Sequence, residues 1–260
     1  MDATDSLAGR HALVTGGGRG IGAAIARALL AKGARVTIAG RSREPLDATV
    51  AELSTLGEID CVTMDVTSAA SVAQAFAAAQ ARFGPVAVLV NNAGQAASSP
   101  FLKTDQALWQ QMLAVNLTGT WHCMQAALPA MLEARWGRIV NVASTAGLTG
   151  YGYVSAYCAA KHGVVGLTRS LALEVAARGI TVNAVCPGYT DTDIVVEAVA
   201  NIAARTGRSE EQALAELASA NPQRRLVQPE EVANAVAWLC MPGAAAMNGQ
   251  SVAVAGGEVM

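Results

Sequence analysis

Seven short β-rich apolar runs alternate with alanine-rich stretches along this chain, and that alternation constrains its fold more than any other feature. HALVTG (11–16), ARVTIAG (34–40), DCVTMDV (60–66), VAVLVNNAG (86–94), GRIVNVAS (137–144), ITVNAVCPG (180–188) and QSVAVAGG (250–257) read as strands. They are nearly continuous in apolar character, the pattern of strands covered on both faces and hence of a parallel sheet. Helices are expected between them, near 20–32, 44–56, 68–82, 106–134, 155–178 and 229–240. Such alternation calls for right-handed crossovers and gives an α/β, doubly wound, parallel seven-stranded sheet with helices on both faces. No composition break, low-complexity run or internal repeat divides the chain, so residues 1–260 read as a single domain. The connection 189–228 has no strand, contains the helix-like SEEQALAELASA, and is expected to form a substrate lid.

The first strand runs directly into TGGGRGIG (15–22), which opens the helix AAIARALLAKG. Gly16, Gly20 and Gly22 permit a tight turn, close approach of a diphosphate, and close helix–strand packing. The helix N-terminus behind them offers N–H groups and partial positive charge. Gly16, Arg19, Gly20, Ile21 and Gly22 are therefore candidates for holding a dinucleotide in a Rossmann-type domain, here with G-x-x-x-G-x-G spacing. A 2′-hydroxyl cofactor normally meets a carboxylate at the end of the second strand. This chain has Gly40-Arg41-Ser42-Arg43 there. Arg41 suits a 2′-phosphate and the adenine face, with Arg19 as a second cation, so NADP(H) is expected over NAD(H). Asp65 and Val66 are placed for the adenine edge, and Asn92, Ala93 and Gly94 for the ribose side.

Lys161 is one of only three lysines, and no charged residue stands between it and Arg138. It follows Tyr157 by one helical turn, so both side chains project from one face. A phenol with a pKa of about 10 shuttles protons poorly at neutral pH. A nearby ammonium, with a positive nicotinamide, would favour the phenolate; the ammonium can also hold ribose hydroxyls. Ser144 closes the fifth strand, where a carbonyl oxygen would lie between two hydroxyls. Asn116 interrupts the apolar pattern of 106–134 and is a candidate for holding a water that passes a proton to Lys161. Cys158, His162, His11, His122 and the four tryptophans read as packing or surface residues, and no metal-ligand spacing is present.

TGGGRGIG, Asp65-Val66, NNAG, Asn116, Ser144, Tyr157-x-x-x-Lys161 and Pro187-Gly188 with Thr192 together resemble the short-chain dehydrogenase/reductase family in its compact form, from about residue 7 onward. The resemblance implies an enzyme that interconverts a ketone and a secondary alcohol by hydride transfer with a nicotinamide cofactor. Tyr157 would give or take the proton, Ser144 orient the carbonyl, Lys161 bind ribose and lower the tyrosine pKa, and Asn116 join a proton relay. Pro187, Gly188, Thr190 and Thr192 would border the nicotinamide carboxamide. A homotetramer pairing the helices near 106–134 and 155–178 is implied as well.

Charged residues make up 15% of the chain, against roughly 25% in an average domain, which also favours a buried interface between identical subunits. The net charge of −2 offers no basic face for nucleic acid. The acidic start MDATDSLAGRH is unlike a signal peptide, and 139–160 is too polar for a membrane span. Five scattered cysteines without a CxxC suit a reducing cytoplasm.

Three loops are expected to wall the pocket: 94–102, 145–154 and 189–228. The first two carry no basic residue. The third begins with Asp191, Asp193 and Glu197, and its arginines (Arg205, Arg208, Arg224, Arg225) come later. A neutral ketone, or a thioester with distant charges, suits this lining better than a free keto acid. ASTAGLTG, KHGVVGLTRSLALE and GITVNAVCPG resemble aromatic polyketide ketoreductases and 3-oxoacyl thioester reductases. Gln95-Ala96-Ala97 stands where the polyketide enzymes have Pro-Gly-Gly. The segment 189–228 resembles that of 3-hydroxybutyrate dehydrogenases, but their carboxylate-binding His and Lys between serine and tyrosine are missing. Reduction of a 3-oxoacyl thioester of CoA or a carrier protein is the leading expectation, and reduction of neutral hydrophobic or aromatic ketones the alternative. A cofactor-binding regulator would be marked by loss of Ser144, Tyr157 or Lys161, and all three stand.

Overall fold

The computed structural model describes residues 6–260, except for the side chains of Ile194, Glu197 and Arg205. Most of the acidic start, and the charges of Glu197 and Arg205 in the lid, lie outside the described residues. The chain runs β1 (His11–Thr15), α1 (Gly20–Ala31), β2 (Arg35–Gly40), α2 (Arg43–Leu53), β3 (Ile59–Thr63), α3 (Ala69–Phe83) and β4 (Val86–Asn91). There follow α4 (Gln106–Leu113), α5 (Gly119–Ala134), β5 (Gly137–Val142), α6 (Ser155–Val175) and β6 (Ile180–Pro187). The chain ends with α7 (Asp193–Thr206), α8 (Glu210–Ser219), α9 (Pro229–Cys240) and β7 (Ser251–Val254). All seven strands pair in parallel in the order β3-β2-β1-β4-β5-β6-β7.

Both faces are filled, as the apolar runs require. Ala12, Val14, Val36, Ile38, Val88, Val90 and Val140 pack with α1, α2 and α9 on one face. Leu13, Ala39, Leu89, Ile139 and Val182 pack with α3, α5 and α6 on the other. Neighbours along one strand thus enter opposite cores, so there is no polar face to alternate with.

The strands stop short of the runs that announced them. β3 ends at Thr63, β4 at Asn91 and β5 at Val142, so Asp65, Asn92–Gly94 and Ser144 leave the ladder at its carboxyl end. The order reverses at β1, which lies between β2 and β4, and ligands of open α/β sheets bind at such a switch point. The helix expected over 106–134 is broken: Ala114–Thr118 form one π-type turn between α4 and α5, with Asn116 buried in it. Such a turn inserts an extra residue that the apolar period does not reveal, and often marks a functional site. The 189–228 connection holds two helices where one was legible. Val195, Val199, Ala213 and Leu217 make a small core between them. Its base is closed by a bridge from Thr190 to Val227.

Asn141, at the centre of the sheet, is fully buried. Its amide donates to Thr168 Oγ1 at 2.9 Å, and its carbonyl accepts from Asn91 Nδ2 at 2.8 Å. The pair of bonds joins β4 and β5 to α6. Asn141→Ala should therefore cost about 2–4 kcal/mol. That lowers the melting midpoint by roughly 5–12 °C, as scanning calorimetry would register. A midpoint within a degree of wild type would show that the network carries no stability.

Candidate active site

Gly16 has φ +66°, and a Cβ there would come within 3.0 Å of Ala93 Cα and of Asn92 Nδ2. At Gly22 a Cβ would lie 2.1 Å from Gly16 O. The turn is therefore closed to any side chain at either place. Gly20 faces Thr192, whose Cγ2 would sit 3.2 Å from an added Cβ. Gly17 fits only because it lacks a side chain against Ile38, at 2.6 Å; the sequence reading passed over it, since its glycine neighbours already explained the turn. Asn92 staples this cradle to the end of β4. Its Nδ2 donates to Thr15 O at 3.0 Å and Gly16 O at 3.2 Å. Its N–H and that of Ala93 both donate to Thr15 Oγ1, at 3.0 and 2.9 Å.

No side chain caps the N-terminus of α1, so its N–H groups face the cradle, with Ile21 in the first turn. That fits a diphosphate. Arg41 is exposed at the end of β2 and makes no ion pair among the described residues. Arg43, by contrast, is held by Asp47 at 2.8 Å. Arg19, the second cation that the sequence suggested, is paired in this structure: its guanidinium donates to Asp193 Oδ2 at 3.1 Å, linking the glycine turn to α7. Both side chains are well exposed, and such pairs are worth only about 0–1 kcal/mol. Arg19 can leave Asp193 for a phosphate at little cost.

Asp65 accepts from Thr67 N–H at 2.9 Å and Thr67 Oγ1 at 2.7 Å. Those bonds hold its carboxyl below the usual range, with Arg41 adding to the effect. Val66 is buried, and its carbonyl lies 2.9 Å from His122 Nδ1. Pro187 is buried at the end of β6 beside Gly188. Thr190 Oγ1 donates to Gly188 O at 3.0 Å, and Thr192 Oγ1 to Thr190 O at 3.2 Å. The loop after β6 is thereby held in one shape against the glycine turn.

Ser144, Tyr157 and Lys161 come together at the carboxyl ends of β5 and β6. Ser144 is extended at φ −179°, and its Oγ accepts from Ala146 N–H at 3.1 Å. The Ser144 hydroxyl acts on the Tyr157 phenol in the direction that favours its ionisation. Lys161 is 5% exposed, with Nζ donating to Val142 O at 2.8 Å and lying 5.7 Å from the Tyr157 ring centre. Desolvation lowers the Lys161 ammonium to about 8. It also pushes the Tyr157 phenol up to about 12, against the influence of Ser144. The sequence reading had the ammonium, together with a positive nicotinamide, lowering that phenol; in the protein alone burial sets the direction, and Lys161 is not among its causes.

Gly94 separates Lys161 from Asn116: a Cβ there would stand 3.7 Å from Lys161 Nζ and 2.9 Å from Asn116 Oδ1. The Asn116 amide is committed to backbone. Its Oδ1 accepts from Gln95 N–H at 3.1 Å, and its Nδ2 donates to Gln95 O and Met112 O, each at 3.0 Å. It thus fixes the loop after β4. Gln95 in turn accepts through Oε1 from Gln111 Nε2 at 2.9 Å. Among the described residues no group of three or more His, Cys, Asp or Glu is arranged for a metal ion, and no helix is long and apolar enough to cross a membrane.

A glycine cradle at the switch point, with a Ser–Tyr–Lys cluster on the next strand ends, defines a class of nicotinamide-dependent oxidoreductase. The short-chain dehydrogenase family model matches residues 10–203, and the chain belongs to that family. A Streptomyces coelicolor protein provisionally named a ketoacyl reductase is 44% identical over 249 residues, 95% of each chain. The 3-oxoacyl-[acyl-carrier-protein] reductase of Vibrio cholerae is 38% identical, covering 98% of this chain and 99% of its own. Among solved structures, a variant of actinorhodin polyketide ketoreductase with NADPH superposes with a TM-score of 0.93 at 42% identity, over 99% of each chain.

The buried lysine gives a test of sign. A fall from 10.5 to about 8 corresponds to ~3 kcal/mol of destabilisation below pH 8. Between pH 8 and 10.5 the unfolded chain keeps a proton that the folded protein has released, so stability rises with pH there. Lys161→Met should raise the melting midpoint by several degrees at pH 7, and the advantage should fade toward pH 10. A lower midpoint at pH 7 would mean that the bond to Val142 outweighs the burial cost.

Proposed function

We propose that this oxidoreductase uses NADP(H) to reduce a 3-oxoacyl thioester of CoA or a carrier protein to the 3-hydroxyacyl product. The observation that carries the reading is the hydroxyl pair of Ser144 and Tyr157 beside the buried Lys161, at strand ends that also form the glycine cradle. When bound, the nicotinamide supplies the hydride. Tyr157, protonated well above neutral pH, gives its proton to the carbonyl oxygen as the carbon is reduced. Ser144 donates a second hydrogen bond to that oxygen. Lys161 holds the ribose hydroxyls and returns a proton to Tyr157, while Asn116, its amide committed to backbone, holds the loop at Gly94 beside that path. Gly16, Gly20, Ile21, Gly22 and Arg19 take the diphosphate side, and Asp65, Val66, Asn92, Ala93 and Gly94 the adenosine side. Pro187, Gly188, Thr190 and Thr192 border the nicotinamide. The exposed Arg41 and the lack of a carboxylate in Gly40-Arg41-Ser42-Arg43 support NADP(H) over NAD(H).

The names of the relatives support thioester reduction, with 189–228 as the lid. One observation favours neutral hydrophobic or aromatic ketones instead. Phe101, Leu102 and Tyr153 are exposed on the loops after β4 and β5, and Ser99 N–H donates to Tyr153 O at 2.7 Å to join those loops. Trp109, Trp121 and Leu173, exposed on α4, α5 and α6, support burial of those helices in a homotetramer. Five free, buried cysteines are compatible with work in a reducing cytoplasm.

The deciding assay is the initial rate of NADPH oxidation with acetoacetyl-CoA beside acetophenone, repeated with NADH. Faster turnover of the thioester with NADPH is expected; turnover of the aryl ketone alone would install the second reading. Tyr157→Phe should reduce turnover by roughly a thousandfold while leaving NADPH binding within about twofold, and substantial residual turnover would remove Tyr157 as proton donor. Arg41→Asp should swing the NADPH-to-NADH preference by ten- to a hundredfold, the worth of one charge-assisted phosphate contact. An unchanged ratio would take Arg41 out of the phosphate site.

A further inference from the structure

Glu258, the third residue from the end of the sequence, is brought back against the cleft walls. Its Oε1 accepts a short hydrogen bond from the Tyr151 hydroxyl. Its Oε2 lies 2.6 Å from where a Cβ on Gly188 would stand, so the carboxylate rests against the loop after β6. Tyr151 also meets Thr145 Oγ1 at 2.9 Å and packs edge-on to Tyr189, ring centres 6.5 Å apart. A carboxylate only accepts, so the phenolic proton of Tyr151 is committed to Glu258, and Thr145 must donate to the Tyr151 oxygen. The chain Thr145–Tyr151–Glu258 therefore has a fixed polarity that ends in a negative charge. It spans the turn carrying Ser144 and the loop carrying Gly188 and Tyr189, the walls that flank the hydroxyl pair. Loops 94–102 and 145–154 bring no basic residue to offset that charge.

We infer that Glu258 is a specificity-determining residue: held between Tyr151 and Gly188, its carboxylate disfavours substrates with an anion next to the reacting ketone and leaves the neutral ester or thioester of the same acid as substrate. The inference rests on the reductase reading and names the substrate charge it selects. A substrate anion held within a Debye length of that carboxylate would lose about a factor of ten in binding to the repulsion.

The test is calorimetric titration of the enzyme–NADP⁺ complex, which cannot reduce a ketone, with acetoacetate and with methyl acetoacetate. Wild type should bind the ester at least tenfold more tightly. Glu258→Gln keeps an acceptor for Tyr151 and removes the charge; it should shrink the ester-to-acid ratio about tenfold, mainly through tighter acetoacetate binding. Tyr151→Phe removes the link and keeps the charge, and should leave the ratio within about twofold. An unchanged ratio in Glu258→Gln overturns the inference. So does an equal shift in Tyr151→Phe, which would mean packing decides, or failure of both ligands to bind wild type. The reductase reading fails separately, if wild type with NADPH turns over none of the ketones or thioesters above even where it binds them.

Discussion

Burial of the sheet on both faces is the constraint from which the rest of this structure follows. Adjacent residues of β1 and β4 enter opposite cores, so nearly every side chain within the strands is committed to packing. Chemistry is left to the places where the ladder stops, and parallel strands stop together at one end. Glycine cradle, Asn92, Ser144 and Gly188 all stand just past a last strand residue. The central polar exceptions, Asn91 and Asn141, are bonded to each other inside the sheet and serve its cohesion, with Thr168 taking the Asn141 amide and Asn91 Oδ1 left without a partner among the described residues.

The site works against the stability of its own scaffold. An ammonium with 5% exposure and a carbonyl as its bonded partner is far from the paired, solvated state that a lysine prefers. The cost is tolerable because it is local, a few kcal/mol, set against two large apolar cores. What the position yields is a proton-accessible amine fixed across Gly94 from Asn116 and one helical turn from a phenol. That phenol is protonated at neutral pH, the state a proton donor needs, and burial moves it further from ionising. The positive charge of an oxidised nicotinamide would act in the opposite direction, favouring the phenolate. One tyrosine can thereby serve both directions of a ketone–alcohol exchange.

The order of elements and the grouping of Ser144, Tyr157 and Lys161 were legible because their signals are local. Apolar runs, a glycine turn after a strand, and a Tyr–Lys pair one turn apart are read within a dozen residues. Strand ends were read too long for a physical reason: Val66, Ala93 and Ala143 continue the apolar pattern after the backbone has left the ladder. The π-type turn at Asn116 was invisible because inserting a residue in a helix leaves its composition unchanged. Helix α7, DIVVEAVANIAART, carries β-branched residues that lower helix propensity, and its apolar stripe has meaning only against α8.

Long-range pairs were beyond reach for a different reason. Arg19 meets Asp193 across 174 positions, and Tyr151 meets Glu258 across 107. Nothing near Glu258 distinguishes it from any charged residue close to a chain end. The sequence reading found no cation in loops 94–102 and 145–154 and an acidic start to 189–228, and expected a neutral substrate; the fold brings Glu258 to Tyr151 and Gly188 from outside all three segments. Local pattern thus reveals what chemistry a strand end can perform, whereas the charge that a substrate meets depends on which distant segment the fold returns to that end.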